Sequence, residues 1–132
     1  MHPANDLFAA ARDAMAKCHA PYSKFPVGAA LRTTDGRVYA GGNIEVASYP
    51  EGWCAETTML AHYVMGGGGE IAEICVVGEK MDLITPCGGC RQRLAEFAGP
   101  KVPVYLCDQA GIVRSIAMEE LLPLGFRGDS LK

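Results

Sequence analysis

Residues 71–90 have the sequence IAEICVVGEKMDLITPCGGC, and this stretch decides the fold. Its first part, 71–78, is almost continuously apolar, which predicts a strand buried on both faces near the centre of a sheet. A loop is predicted at 83–89 and a short helix at 90–98. A buried strand that leads through a loop into a helix is typical of an α/β domain.

The residues before this stretch predict two helices and a β-hairpin. Apolar side chains at helical spacing predict the first helix: Leu7, Phe8, Ala11, Met15 and Cys18. An Asp-Gly turn at 35–36 joins strands predicted at 27–31 and 37–45. The second helix begins near Cys54 and ends at about Met65, where glycines follow.

The residues after this stretch predict two antiparallel strands, 102–107 and 112–117. The connection between them is too short for the crossover that parallel neighbours require. A last helical turn is predicted at 118–122. Residues 1–132 therefore predict a single α/β domain, a three-layer α/β/α arrangement on a mixed five-stranded sheet.

The composition favours an ordered globular protein and excludes several classes of function. Of 132 residues, 49% are hydrophobic and 20% are charged, unlike a disordered chain. The net charge of −3 offers no basic excess for nucleic acid. No stretch approaches the roughly 18 apolar residues of a membrane span. Arg12 and Asp13 interrupt the apolar N-terminus, which argues against a signal peptide, so we expect a cytoplasmic protein without a membrane partner.

Two cysteine motifs carry the candidate chemistry. Cys54 precedes Ala55-Glu56 at the start of one predicted helix, and Cys87 and Cys90 lie in the PCGGC segment that opens the next. Helix N-termini favour the ionised thiolate, which is the form that binds metal. Three thiolates can hold one zinc ion per chain and leave the fourth tetrahedral position to water, as in catalytic zinc sites.

Glu56 is the candidate catalytic residue. On its helix it lies in line with Leu60 and Tyr63, on the apolar side, where a carboxylate is costly unless it is paired or active. Beside an activated water it can take up a proton and pass it to a leaving group. This combination is the general pattern of zinc deaminases, which remove an amine by hydrolysis.

Other interpretations of these cysteines stay open. A CxxC segment alone is also found in redox sites, and a closed four-cysteine site would need a fourth ligand. The candidates for this ligand are Cys18, Cys75 and Cys107. Otherwise we expect these three cysteines to be small apolar side chains in the core. Three histidines lie outside the motifs, and we expect them at the surface or in packing contacts and not as metal ligands: His2, His19 and His62.

The sequence resembles the small homotetrameric cytidine deaminases of pyrimidine salvage over nearly the whole chain. The matching segments are PYSKFPVGAA at 21–30, GNIE at 42–45, the two cysteine motifs with Arg91-Gln92, and ELLP at 120–123. The resemblance implies a cytidine-deaminase-like fold. It also implies zinc-dependent hydrolysis of cytidine and 2′-deoxycytidine to uridine and 2′-deoxyuridine, with release of ammonia.

The resemblance implies roles for further residues. Glu56 would protonate N3 of the pyrimidine, assist hydroxide attack at C4 and deliver a proton to the departing ammonia. Asn43 and Glu45 would hydrogen-bond the ribose 3′-hydroxyl and leave the 2′ position loosely bound. The backbone of Ala55 and the carbonyl of Thr85 would contact the O2 and 4-amino groups.

Two aromatic residues have implied roles as well. Phe25 would pack against the pyrimidine. Phe126 corresponds in position to a C-terminal aromatic that enters the active site of a neighbouring subunit. We therefore expect a homotetramer with active sites at its subunit interfaces.

One position departs from the family pattern. Many members carry Arg directly after the catalytic Glu, where it hydrogen-bonds a zinc thiolate, and this chain has Thr57. Three thiolates on Zn²⁺ give a centre of net charge −1, which raises the pKa of the bound water. We hypothesise that Arg91 donates a charge-assisted hydrogen bond to a thiolate instead.

Three alternatives compete with this interpretation. A deaminase of a modified cytosine nucleoside is the nearest, although Asn43 and Glu45 favour a plain ribose or deoxyribose. The acidic balance disfavours an enzyme that edits single-stranded nucleic acid. A non-catalytic zinc module would have no use for the carboxylate of Glu56 beside the metal.

Overall fold

A computed structural model describes residues 2–79 and 84–128. These residues form four α-helices and five β-strands. In chain order the elements are α1 (Asn5–Ala16), β1 (Val27–Thr33), β2 (Val38–Gly42), α2 (Ala55–Met65), β3 (Ile71–Gly78), α3 (Gly88–Phe97), β4 (Pro103–Cys107), β5 (Ile112–Ala117) and α4 (Met118–Leu121). A single 3-10 turn, Tyr49–Glu51, precedes α2.

The five strands form one mixed sheet in the order β2-β1-β3-β4-β5. Strand β1 runs antiparallel to β2 and to β3, whereas β3 and β4 are parallel. The last two strands are antiparallel, which confirms the expectation from their short connection. The central place of β3 and the mixed five-stranded α/β fold are confirmed as well.

Helices cover both faces of the sheet. Alternate residues of β1 point to opposite sides: Ala30 packs in the apolar cluster under α1, and Ala29 and Leu31 pack in the cluster under α2 and α3. The packing on the α1 side is close, because a Cβ on Gly28 would lie 2.0 Å from the carbonyl oxygen of Ala11. This arrangement gives the predicted three layers.

Strand β2 is shorter than the predicted 37–45, because the chain leaves the sheet after Gly42. Ile44 instead exchanges backbone hydrogen bonds with Trp53, both at 2.8 Å. The amide of Glu45 donates to the carbonyl of His19 at 2.8 Å. Residues 43–45 thereby form a wall beside the start of α2 rather than a continuation of the strand.

The register brings the start of β1 and the ends of β2 and β3 to one edge of the sheet. Val27 at the start of β1 pairs with Gly78 at the end of β3, and Gly28 pairs with Gly42 at the end of β2. The candidate site lies at this edge. Within 2–79 and 84–128, no helix has the length and apolar character needed to span a membrane.

Candidate active site

The three motif cysteines converge, as the sequence predicts. The sulfur atoms of Cys54, Cys87 and Cys90 all lie within 4.8 Å of one another. Cys54 is the N-cap residue of α2, and Cys87 is the N-cap residue of α3. In the part of the chain that the structure describes, no fourth cysteine, histidine or carboxylate joins this group. The set is therefore the open three-ligand arrangement and not a closed four-cysteine site.

The donor set suits zinc. Zn–S bonds of about 2.3 Å place the sulfurs of a tetrahedral centre about 3.8 Å apart, so a contraction of about 1 Å or less completes the site. A hydrogen bond from Cys90 is the main cause that lowers the pKa of Cys54 to about 6. The same hydrogen bond, together with burial, raises the pKa of Cys90. The thiol group of Cys90 thus already stabilises a thiolate, the metal-binding form, at Cys54.

Glu56 is buried, with only 4% of its surface exposed, in agreement with its helical spacing. Burial is the main cause that raises its carboxyl pKa to about 7, and the negative charge of Cys54 adds to the effect. A carboxyl group with this pKa accepts and releases a proton near neutral pH.

A small cavity of about 180 Å³ contains this chemistry. It is lined by Val27, Asn43, Cys54, Ala55, Glu56, Ile84, Thr85 and Cys87. Most of the predicted base-binding and catalytic groups therefore face one space. An adjoining cavity of about 410 Å³ shares Asn43 and Cys54 with it and extends along Glu45.

The side chains of Asn43 and Glu45 hydrogen-bond the backbone of residues 22–27 beside the two cavities. The amide oxygen of Asn43 accepts a hydrogen bond from the backbone N–H of Val27, and its amide nitrogen donates to the carbonyl of Phe25, both at 3.0 Å. The carboxylate of Glu45 accepts from the backbone N–H groups of Tyr22 and Ser23, both at 3.0 Å. The hydroxyl of Ser23 also donates to Glu45 and is the main cause that lowers its pKa.

The two predicted aromatic residues lie outside the small cavity. Phe25 is half-buried, and its ring is near Gly78, where a Cβ would lie 3.4 Å from it. Phe126 is 58% exposed, and its carbonyl accepts a hydrogen bond of 2.7 Å from the side-chain amide of Gln92. Within one chain, Phe126 lines neither the small cavity nor the adjoining one.

Among the described residues, the hydrogen bonds of Arg91 go to carbonyl oxygens and not to a thiolate. Arg91 donates from Nε to the carbonyl of Pro86 at 2.8 Å and from Nη1 to the carbonyl of Leu121 at 2.9 Å. Arg93 lies beside sulfur instead, with Nη1 3.9 Å from Cys90 Sγ. The two carbonyl oxygens hold the Arg91 guanidinium, whereas Arg93 stands three positions after Cys90 and shares its helix face.

Several residues that shape the site are not singled out by the sequence motifs. Ser23 and Tyr22 bind Glu45, and Ile84 and Val27 line the small cavity. Each lies within or next to a segment that the resemblance covers or a residue that it names. Trp53, which lines the adjoining cavity, directly precedes a zinc ligand. Adjacency to the motifs is the signal that could have found them.

Comparison with known proteins agrees with this geometry. The family model for the cytidine and deoxycytidylate deaminase zinc-binding region matches residues 1–106. The cytidine deaminase of Sporosarcina psychrophila is 39% identical over 95% of this chain and 92% of its own length. That of Halalkalibacterium halodurans is 41% identical over 86% of each chain.

Solved structures agree as well. The crystal structure of cytidine deaminase from Burkholderia pseudomallei is 45% identical, has a TM-score of 0.88, and covers 96% of this chain and all of that one. The fold and the three-cysteine site already define a zinc-binding protein of the deaminase type. The chain belongs to the cytidine and deoxycytidylate deaminase family.

Proposed function

We propose that this protein catalyses the zinc-dependent hydrolytic deamination of cytidine to uridine with release of ammonia. The observation that carries the proposal is the buried carboxyl of Glu56, which faces the same small cavity as Cys54 and Cys87. The curated relatives named cytidine deaminase, at 39% and 41% identity, support the substrate class.

Glu56 is the proton carrier of this mechanism. Cys54, Cys87 and Cys90 would hold the zinc, which would supply an activated water as the nucleophile. Glu56 accepts a proton from the attacking water and delivers it to N3 of the pyrimidine as the C4–O bond forms. It then carries the second proton to the 4-amino group, so that the C4–N bond breaks with ammonia as the leaving group. Burial, which raises the pKa of the Glu56 carboxyl, favours proton uptake and release near neutral pH.

Asn43 and Glu45 are the proposed ribose contacts. The hydrogen bonds described above use one lone pair of the Asn43 amide oxygen and one of its two N–H groups, so one of each is left for the 3′-hydroxyl. Glu45 lines the adjoining cavity and keeps acceptor capacity in the same way. Because neither residue is assigned to the 2′ position, we propose that cytidine and 2′-deoxycytidine are both substrates.

The remaining contacts hold the base. Ala55 and Thr85 line the small cavity, so their backbone groups are available to the O2 and 4-amino groups of the pyrimidine. Phe25, next to Gly78 at the edge of the sheet, is proposed to pack against the pyrimidine ring.

We propose that the active form is a homotetramer. An apolar groove of about 630 Å³ runs between α2 and α3 and includes Leu60, Val64, Met65 and Phe97. An exposed apolar groove of this kind is typical of an association surface. Exposed Phe126 is available to enter the active site of a neighbouring subunit.

We place the enzyme in the cytoplasm, in pyrimidine salvage. All six cysteines are free thiols in the structure, which is the state that a reducing compartment maintains.

Turnover of cytidine by the purified protein tests the proposal. The loss of absorbance as cytidine becomes uridine is measured together with zinc content, and with Glu56→Ala as the matched control. We expect turnover with about one zinc per chain, and in Glu56→Ala a loss of about 10²–10⁴-fold with zinc retained.

Other outcomes separate the alternatives. Turnover of a modified cytosine nucleoside or of single-stranded DNA, but not of cytidine, would contradict the proposed substrate. Full zinc occupancy without turnover of any of these would indicate a non-catalytic zinc module. Loss of zinc in Glu56→Ala would show that Glu56 has a different role.

A further inference from the structure

Arg93 covers the helix turn that carries two zinc ligands. It lies three residues after Cys90 on α3, so the two side chains share one face of the helix. Its Nη1 lies 3.9 Å from Cys90 Sγ. The same atom lies across the backbone of Gly89, where a Cβ would approach it to 3.3 Å. The guanidinium therefore lies against the turn between Cys87 and Cys90.

The charge of the metal centre gives a reason for a cation at this point. Three thiolates and one Zn²⁺ have a net charge of −1, and Cys90 is completely buried. Excess negative charge is costly in a partly buried site. A charged donor that hydrogen-bonds a ligand atom reduces this cost and fixes the ligand.

Neighbouring polar groups do not fill this role. The recorded hydrogen bonds of Arg91 go to two carbonyl oxygens. Thr57 on α2 is neutral, and its buried hydroxyl has no hydrogen-bond partner among the described residues. Arg93 takes part in none of the four ion pairs found within 2–79 and 84–128, so no carboxylate there is in direct contact with its guanidinium.

We propose that Arg93 is a positioning residue of the zinc centre. Its guanidinium acts through the Cys90 sulfur, offsets the excess negative charge of the three thiolates and tightens zinc binding. This role concerns the metal and not the substrate, so it stands or fails independently of the proposed reaction.

The zinc affinity of the enzyme tests this inference. Competition with a chromophoric chelator gives the zinc Kd of the wild type, Arg93→Gln and Arg93→Lys. Loss of a hydrogen-bond partner of a metal ligand costs about 10–100-fold in affinity. Arg93 is exposed in the single chain and also lines the groove proposed for subunit association, so we expect a loss of zinc affinity within this range in Arg93→Gln. Arg93→Lys, which keeps the charge, should recover most of it.

Arg114→Gln is the matched control, since it removes the same charge from an exposed position on β5. We expect it to bind zinc like the wild type. Equal zinc affinity of Arg93→Gln and Arg114→Gln would overturn the proposal, and so would an Arg93→Lys that binds as weakly as Arg93→Gln. Urea unfolding in chelator checks that each variant folds. If Arg93→Gln does not fold, Arg93→Met, which keeps an unbranched apolar chain, is measured in its place.

Discussion

Two groups of cysteines in this molecule show how position decides the chemistry of one residue type. Cys54 and Cys87 cap helices at the edge of the sheet and are exposed. Cys75 and Cys107 lie inside adjacent parallel strands, fully buried, with sulfurs 3.2 Å apart.

The electrostatics of the two groups differ accordingly. The pKa of Cys54 is lowered to about 6, chiefly by the hydrogen bond from Cys90. The pKa of Cys75 is raised, by its hydrogen bond with Cys107 and by burial. Both groups contain close sulfurs, so proximity does not distinguish a ligand from a core thiol. What distinguishes the ligand group is its place at two helix N-termini, where Cys54 and Cys87 are exposed and the buried Cys90 stabilises a thiolate at Cys54 by its hydrogen bond.

Replacing one cysteine from each group gives the largest expected difference. Cys87→Ser removes a soft thiolate ligand, so we expect zinc content to fall from about one per chain towards zero and cytidine turnover to become undetectable. Cys107→Ser should keep both, because its sulfur contacts only core groups.

Metal analysis and the absorbance assay on the same preparations measure both effects. Full zinc occupancy in Cys87→Ser, or zinc loss in a folded Cys107→Ser, would contradict the division into two groups.

The sequence predicts the metal-ligand group better than it predicts what surrounds it. Strands β3 and β5 have the predicted bounds, because apolar runs and glycines mark their ends. The convergence of the three ligands follows from two motifs at helix starts. The sequence points to Arg91 as the thiolate donor, whereas in the structure Arg91 donates to two carbonyl oxygens and Arg93 lies beside Cys90. One of those carbonyls belongs to Leu121 on α4, a partner that the local motif does not contain.

The path of residues 43–45 beside the site could also not be predicted from the sequence pattern. Residues 43–45 continue the alternation of a strand, yet the chain leaves β2 at Gly42. The cause is long-range: Ile44 pairs with Trp53, and Glu45 binds the backbone of Tyr22 and Ser23. A local pattern does not contain these partners.

Glu56 is a buried carboxyl beside the metal ligands, so we expect it to lower the free energy of unfolding when the metal is absent. Its pKa is about 7 in the folded protein against 4.5 ordinarily. Both states hold the proton below pH 4.5, and above it the unfolded state loses its proton first. The metal-free fold therefore loses stability as pH rises towards 7. The full shift corresponds to about 3 kcal/mol.

We expect metal-free Glu56→Gln to be more stable than the metal-free wild type by about 2–3 kcal/mol at pH 8 and by much less at pH 5. Urea unfolding in chelator at the two pH values measures the difference. A stability difference that does not change with pH would show that Glu56 titrates at its ordinary pKa.

The smallest expected effect belongs to the buried pair. Cys75→Ala removes one sulfur from a closely packed apolar cluster and breaks its contact with Cys107. Loss of a small buried group of this kind costs about 1–2 kcal/mol, because a cavity remains where the sulfur was.

Zinc content and cytidine turnover should not change in this variant, because Cys75 lies in the cluster under α1 and the ligands lie on α2 and α3. Urea unfolding of the zinc-loaded protein measures the cost, and Ala30→Gly, in the same cluster, is a matched control for a small loss of volume. If Cys75→Ala also lowers zinc affinity, the two cysteine groups are coupled through the sheet and are not independent.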